Sequence, residues 1–364
     1  MKDHILVVGG YGRVGQTICR FLGDRYPGKV YAAGRSLERA VRFCGETEGR
    51  VLPLQVDITE PSGLQVLDSA KLVVMCLDQH DTAFVQACLE RGTHYVDISA
   101  KGDFLARVEG LQSAARANGA TAVLSVGLAP GMTNLMAAQA SKLLDETEAI
   151  DIFIMLGLGD QHGKAAMEWT IDHLNSSFDV TEGGRTKRVQ SFTDRKTADF
   201  GGALGQSTAY RFPFSDQQTL ARTLSVPSVS TRLCFDSSLT TALVSGLQSI
   251  GVFRLLRFRA VRRLMVQSFG AVRFGEELFA VKVEARGRSG QKPALAECFF
   301  HGNNEAELTA RAAGSVADSV YRRSFPAGVH HIEQLFDLHS LRPAVQEGTT
   351  LEICLNGQVL GKEI

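Results

Sequence analysis

Ile5–Val8 is a short apolar run that leads straight into glycines, with Gly10, Gly12 and Gly15 in G-x-G-x-x-G spacing. Gln16 to Leu22 then continues with helical periodicity. A strand, a glycine turn and a helix are the setting in which a dinucleotide pyrophosphate is bound. Gly10 is expected to allow the tight turn. Gly12, lacking a side chain, lets a phosphate approach the backbone, and Gly15 lets the helix pack close to the strand. Tyr11, Arg13 and Val14 complete the loop, and the helix start adds N–H groups and partial positive charge.

The next signal lies about 20 residues further on, where an Asp or Glu ordinarily binds the adenosine ribose. Gly34-Arg35-Ser36 stands there instead, at the end of a predicted strand Lys29–Ala33. An Arg at this point meets a 2′-phosphate with paired donors, so Arg35 and Ser36 favour NADP, with NAD possible. The alternative is that Arg35 stacks on adenine or caps a turn. Asp57 and Ile58 follow the third strand, either beside the adenine or as an N-cap.

In open α/β sheets ligands bind beyond the carboxyl ends of the strands. That rule selects Cys76 and Leu77 for the cofactor, Asp97 and Lys101 for proton handling, and Ser99, Pro130 and Gly131 for the substrate. Asp97 either orients an amine, acts as a base, or caps the next segment. Lys101 either protonates an amine, binds a carboxylate, or is a solvated surface lysine. His162, beside a glycine at a helix start, is a candidate proton carrier or a surface cap. Arg211 and Arg232 are candidate carboxylate clamps, or pair with an Asp such as Asp236. None of the six tyrosines has a Lys four residues on, which argues against the short-chain dehydrogenase mechanism.

These residues need a scaffold of alternating strands and helices. The first third supplies strands near residues 5–8, 29–33, 50–56, 71–77, 94–99 and 121–126, with helices at 82–91 and 104–118 between the later ones. The alternation predicts an α/β fold with an N-terminal Rossmann domain, a doubly wound parallel sheet over residues 1–130. A second, mixed α/β domain is expected over 131–304. Its predicted elements are strands at 150–156, 187–192, 209–212 and 231–235, a helix at 165–174, and a hairpin pairing 278–284 with 294–299. A C-terminal part, 305–364, carries a helix Glu305–Arg322 and an Asn356-Gly357 hairpin, and is expected to return toward the first domain.

The 364 residues are too many for one simple core. Zero net charge gives no electrostatic footprint for nucleic acid. Seven scattered cysteines suggest reduced thiols and a cytoplasmic protein. No CxxC or HxxxH spacing points to a metal. Met1 to His4 leads into a strand too short for a secretory leader, so none is expected. Leu239 to Leu264 mixes apolar residues with five arginines, as a membrane-surface helix, a solvated face or a subunit contact. No stable membrane insertion is expected, and a homodimer is the expected assembly.

The glycine loop, Phe84–Ser99 (FVQACLERGTHYVDIS), Gly127–Leu135 (GLAPGMTNL) and Ala327–Asp337 (AGVHHIEQLFD) together resemble the saccharopine dehydrogenase family. The resemblance is good over the first 140 residues, moderate over the last 50, and least specific between 150 and 300. It implies a Rossmann domain with an inserted mixed α/β domain. It also implies NAD(P)-linked hydride transfer at a carbon–nitrogen bond, with an amine or amino-acid substrate. Two alternatives stay open: a non-catalytic NADP-binding regulator or assembly protein, and an NADP-dependent reductase of a lipid-like substrate.

Overall fold

The computed structural model describes residues 2–159, 164–271, 277–344 and 349–363. The chain divides into two units, Met1–Met132 with Ala306–Val345, and Thr133–Glu305 with Gln346–Ile364. The strands run in chain order as β1 (His4–Val8), β2 (Val30–Gly34), β3 (Val51–Gln55), β4 (Ala70–Met75), β5 (His94–Asp97) and β6 (Thr121–Leu124). Next come β7 (Glu146–Leu156), β8 (Ser177–Glu182), β9 (Arg185–Gln190), β10 (Lys196–Asp199), β11 (Gln206–Arg211) and β12 (Ser228–Phe235). The last are β13 (Leu278–Ser289), β14 (Lys292–Asn303), β15 (Gly328–His331), β16 (Thr350–Leu355) and β17 (Gln358–Glu363).

In the first unit seven strands form a parallel sheet in the order β15-β6-β5-β4-β1-β2-β3. The central strand explains the arrangement. Ile5, Leu6, Val7 and Val8 are all buried, as a strand covered on both faces requires. Each such side chain contributes roughly 1.5–3 kcal/mol on burial. Strand order reverses at β1, with β2 on one side and β4 on the other. Because the sheet is parallel, Gly9, Arg35, Cys76, Ile98, Ser125 and Ile332 all follow strand ends along one edge. The predicted helix 104–118 is two helices, Gly102–Glu109 and Gln112–Ala117. Gly110, a poor helix residue, ends the first, and Leu111 turns onto the core.

The second unit is built on a mixed sheet in the order β10-β11-β12-β7-β13-β14-β16-β17. Only the β12–β7 pair is parallel among its described ladders. A separate hairpin pairs β8 with β9 across Gly183-Gly184, both at positive φ. The terminal hairpin does not return to the first unit. β16 pairs with β14, so its backbone groups extend the second unit's sheet. What returns to the first unit is the helix Glu305–Arg322 and β15, which pairs with β6.

The Leu239–Leu264 segment is a helix Ser238–Ser249, a 3₁₀ turn Val252–Arg257 and a helix Arg259–Ala271. Leu239, Leu243, Ile250, Phe258 and Leu264 are exposed on it. Among the described residues no helix is long and apolar enough to cross a membrane.

Candidate functional site

The glycine loop divides its labour differently from the sequence expectation. Gly9, at φ +83°, makes the turn that needs left-handed backbone. Gly10 is instead a packing glycine, since a Cβ there would lie 2.7 Å from Ala32 Cα and from Val7 O. Gly15 is tighter still, because its Cβ would fall 2.3 Å from Gly9 O. Gly12 is the N-cap of the helix Arg13–Gly23 and supplies no side-chain cap. A side chain at Gly12 would approach Gly9 O at 3.1 Å. The helix start, with Val14 in its first turn, thus presents backbone rather than side chain, as a bound phosphate requires.

Tyr11 reaches from the loop to the end of β2. Its ring lies where a Gly34 side chain would be, at 2.5 Å from the hydroxyl, and the Ser36 N–H donates to that hydroxyl at 2.9 Å. Ser36 is also the N-cap of the helix Leu37–Gly45, its Oγ accepting from Arg39 N. Arg35 is exposed here, and its charge helps Thr59 hold the Asp57 carboxyl below the usual carboxylate range. Asp57 caps its own turn, accepting from the Thr59 N–H and hydroxyl. Ile58 packs on the core. Arg39 was missed by the sequence reading; its guanidinium lies 4.9 Å from the Tyr11 ring centroid. Its position four residues beyond Arg35, in the first turn of the next helix, was the available signal.

Beyond β4 and β5 lies a buried polar chain. Gln79 donates to the Tyr95 hydroxyl at 2.7 Å, Tyr95 donates to Asp97 Oδ2, and the Ser99 N–H donates to Asp97 Oδ1 at 2.6 Å. Asp97 is fully buried. Burial pushes its carboxyl up to about 6, against the hydrogen bonds from Tyr95 and Ser99, with the Asp78 charge adding to the rise. Asp97 therefore shapes the turn at Ser99. Lys101 is half-buried and ion-paired with Asp78 at 2.9 Å. Cys76 is half-buried and Leu77 exposed, and burial followed by the Asp97 charge raises the Cys76 thiol.

A second chain follows β6 and was missed from sequence. Ser125 is fully buried at φ +58°, an uncommon backbone for a non-glycine residue. Its Oγ lies 2.8 Å from His331 Nδ1, and His331 Nε2 lies 3.0 Å from Glu109 Oε1. β15 runs beside β6, with His331 opposite Leu124, so the serine and histidine meet through register. Those partners are about 200 residues apart in sequence, so spacing gave no signal. Pro130 and Gly131 are buried, Gly131 at φ +140° with Ser125 O 3.3 Å from where its Cβ would be.

Residues 5–123 match the family model described as the saccharopine dehydrogenase NADP-binding domain. Over that span the first unit is similar to that family's NADP-binding domain. Its cofactor is NADP. The packed glycines, the uncapped helix start and exposed Arg35 fit that group. The fold of the whole chain resembles saccharopine dehydrogenase (L-Glu forming) from Saccharomyces cerevisiae, at 12% identity and TM-score 0.70. That match covers 97% of this chain and 99% of the yeast chain. A looser likeness, TM-score 0.48 at 14% identity, is to DAP dehydrogenase from C. glutamicum, covering 94% and 97% of the two chains.

The remaining candidates belong to the stretch Thr133–Glu305 of the second unit. His162 lies outside the described residues. Arg211 and Arg232 are buried in the second unit, and their partner is not Asp236. Arg211 Nε donates to Asp194 Oδ2 at 2.7 Å, and Arg232 contacts both Asp194 and Asp151. Both guanidinium groups are therefore occupied by the protein's own carboxylates. Asp236 instead accepts from the Leu158 N–H.

Proposed function

We propose that the chain is an NADP-dependent oxidoreductase acting at a carbon–nitrogen bond of an amino acid or amino-acid conjugate. Its support is the NADP-binding domain, with a buried carboxyl at Asp97 and a half-buried lysine at Lys101 beyond the strand ends. The yeast neighbour in fold, a saccharopine dehydrogenase (L-Glu forming), is in keeping with it. When bound, NADPH supplies the hydride for the imine carbon, so that C=N becomes CH–NH and the cofactor leaves as NADP⁺.

The balance requires one proton for the nitrogen. Lys101, steadied by Asp78, is the proposed donor to it. Asp97, through Ser99 and Tyr95, is the proposed positioning carboxyl beneath that donor. Gly10 to Gly15 would hold the pyrophosphate, and Arg35 with Arg39 the 2′-phosphate. Ser99, Pro130 and Gly131 stay the proposed substrate contacts in this domain. His162 stays a proposed proton carrier.

The test is steady-state turnover of NADPH over amines paired with keto acids or aldehydes, and of NADP⁺ over amino acids and polyamines. Turnover with an amine–carbonyl pair, reduced in Lys101→Ala, supports the reading. Tight NADPH binding with no turnover across the panel favours a cofactor-dependent regulator instead. Turnover confined to long-chain carbonyls favours the lipid-like substrate.

A further inference from the structure

The second unit holds a cavity of about 580 Å³ with Asn175, Arg195, Tyr210, Gln248 and Arg254 among its walls. That volume suits a small molecule. One wall is the segment 191–195 between β9 and β10. Two non-glycine residues in it, Phe192 at φ +55° and Asp194 at φ +48°, hold left-handed backbone. A buried bulky residue such as Phe192 rarely does so, and such strain collects where a ligand is clamped. The surroundings hold the segment. Asp194 Oδ2 accepts from Arg211 Nε and Arg232 Nη2, and Asp194 O accepts from Arg232 Nε at 3.0 Å. Phe192 stacks on Tyr210 with centroids 5.9 Å apart.

The polar lining is unbalanced in a specific way. Asp194, the one carboxylate among the lining residues, is already matched by two buried arginines, so Arg195 and Arg254 leave the wall positive. Gln248 is 6% exposed. Its Nε2 donates to Asn175 Oδ1 at 3.4 Å, while its Oε1 has no hydrogen-bond partner. A buried acceptor left without a donor is costly, and a ligand N–H would relieve that cost. A ligand for this cavity therefore brings an anion for the arginines, an N–H for Gln248 and an apolar portion for the Phe192–Tyr210 wall.

We propose that this cavity binds a free α-amino acid. The carboxylate lies against Arg195 and Arg254, the ammonium donates to Gln248 Oε1, and the side chain lies along the aromatic wall. Binding at this cavity involves the second unit alone and needs neither NADP nor turnover.

The test is calorimetric titration of the full chain, without nucleotide, with L-phenylalanine, L-glutamate and L-lysine. Two fragments of phenylalanine accompany them: 3-phenylpropionate, which lacks the amine, and 2-phenylethylamine, which lacks the carboxylate. Saturable binding of at least one amino acid is expected. The Arg195→Ala/Arg254→Ala double variant and Gln248→Leu should each weaken it by roughly tenfold or more. Both fragments should bind more weakly than phenylalanine wherever phenylalanine binds. A cooperative thermal melt like that of the wild type reports that the variants are folded, and Gln248→Met serves if Gln248→Leu is not. No saturable binding of any of the three amino acids overturns the proposal. So does binding that the arginine variant leaves unchanged, or phenylethylamine binding as tightly as phenylalanine.

Discussion

Asp97→Asn separates the electrostatics of the buried carboxyl from its shape. In the folded chain the carboxyl is pushed up to about 6 from an ordinary 3.8, mainly by burial. Below the lower value both states hold the proton, and burial of the neutral acid costs little. Between the two values the folded state keeps a proton that the unfolded state has released, so stability falls as pH rises. Above the higher value the loss is complete. At about 1.4 kcal/mol per pH unit the full loss is about 3 kcal/mol.

Asn is neutral throughout and nearly the same size. Its oxygen can still accept from the Ser99 N–H, and its NH₂ can face the Tyr95 oxygen. The Tyr95 proton then needs a new acceptor, and Gln79 Oε1, buried and without a partner, supplies one if the amide turns over. The expected result is that the stability of wild type minus that of Asp97→Asn falls by up to about 3 kcal/mol between about pH 4 and about pH 7. Urea unfolding at constant ionic strength measures it. Pulse hydrogen exchange read peptide by peptide lets the strands of the first unit report on their own transition. A difference between the two proteins that does not change with pH refutes the reasoning.

Gly15→Ala should cost about 1–3 kcal/mol in a thermal melt and sharply weaken NADPH binding, because the new Cβ would meet backbone 2.3 Å away. A variant that binds NADPH normally would contradict the tight helix–strand approach. Arg35→Asp should weaken NADPH by roughly ten- to a hundredfold while sparing NADH, as measured by fluorescence titration. Equal loss of both would remove the 2′-phosphate role. Asp151→Ala should destabilise the second unit by about 3–5 kcal/mol at neutral pH, since it leaves Arg232 buried beside Ser230 and Lys196 with one carboxylate fewer. Burial raises the Asp151 carboxyl, but bonds from Lys196, Ser230 and Arg286 outweigh it and hold the carboxyl well below the usual range. Its stabilisation is therefore present at neutral pH and lost only as pH falls below that range, which acid titration of wild type against the variant measures.

Local pattern was enough for six of the seven strands in the first unit's sheet, because buried parallel strands are short, largely apolar runs broken by turn residues; β15 was not legible that way. It was also enough to select Gly10, Gly12 and Gly15, since a close approach of backbone to backbone tolerates no side chain. Which glycine turns and which packs was a different matter. That depended on Ala32 of the neighbouring strand and on the carbonyl of Gly9, neither visible in the spacing. Asp97 could be located at a strand end from sequence, but its protonation depended on Tyr95, Ser99 and full burial, which only packing sets.

Farther along the chain, sequence lost its hold for the same reason. Ser125, His331 and Glu109 meet only because β15 returns to lie beside β6. Arg211 and Arg232 read as carboxylate clamps or as partners of an Asp such as Asp236, and only the fold set Asp194 and Asp151 against them. The terminal hairpin was clear as a hairpin from Asn356-Gly357, because a two-residue turn is a local event. Which sheet it joins was decided by the open edge of β14. The chain by itself determined what short segments can do with their own neighbours. Tertiary structure decided every charge, proton and register that depends on a distant strand.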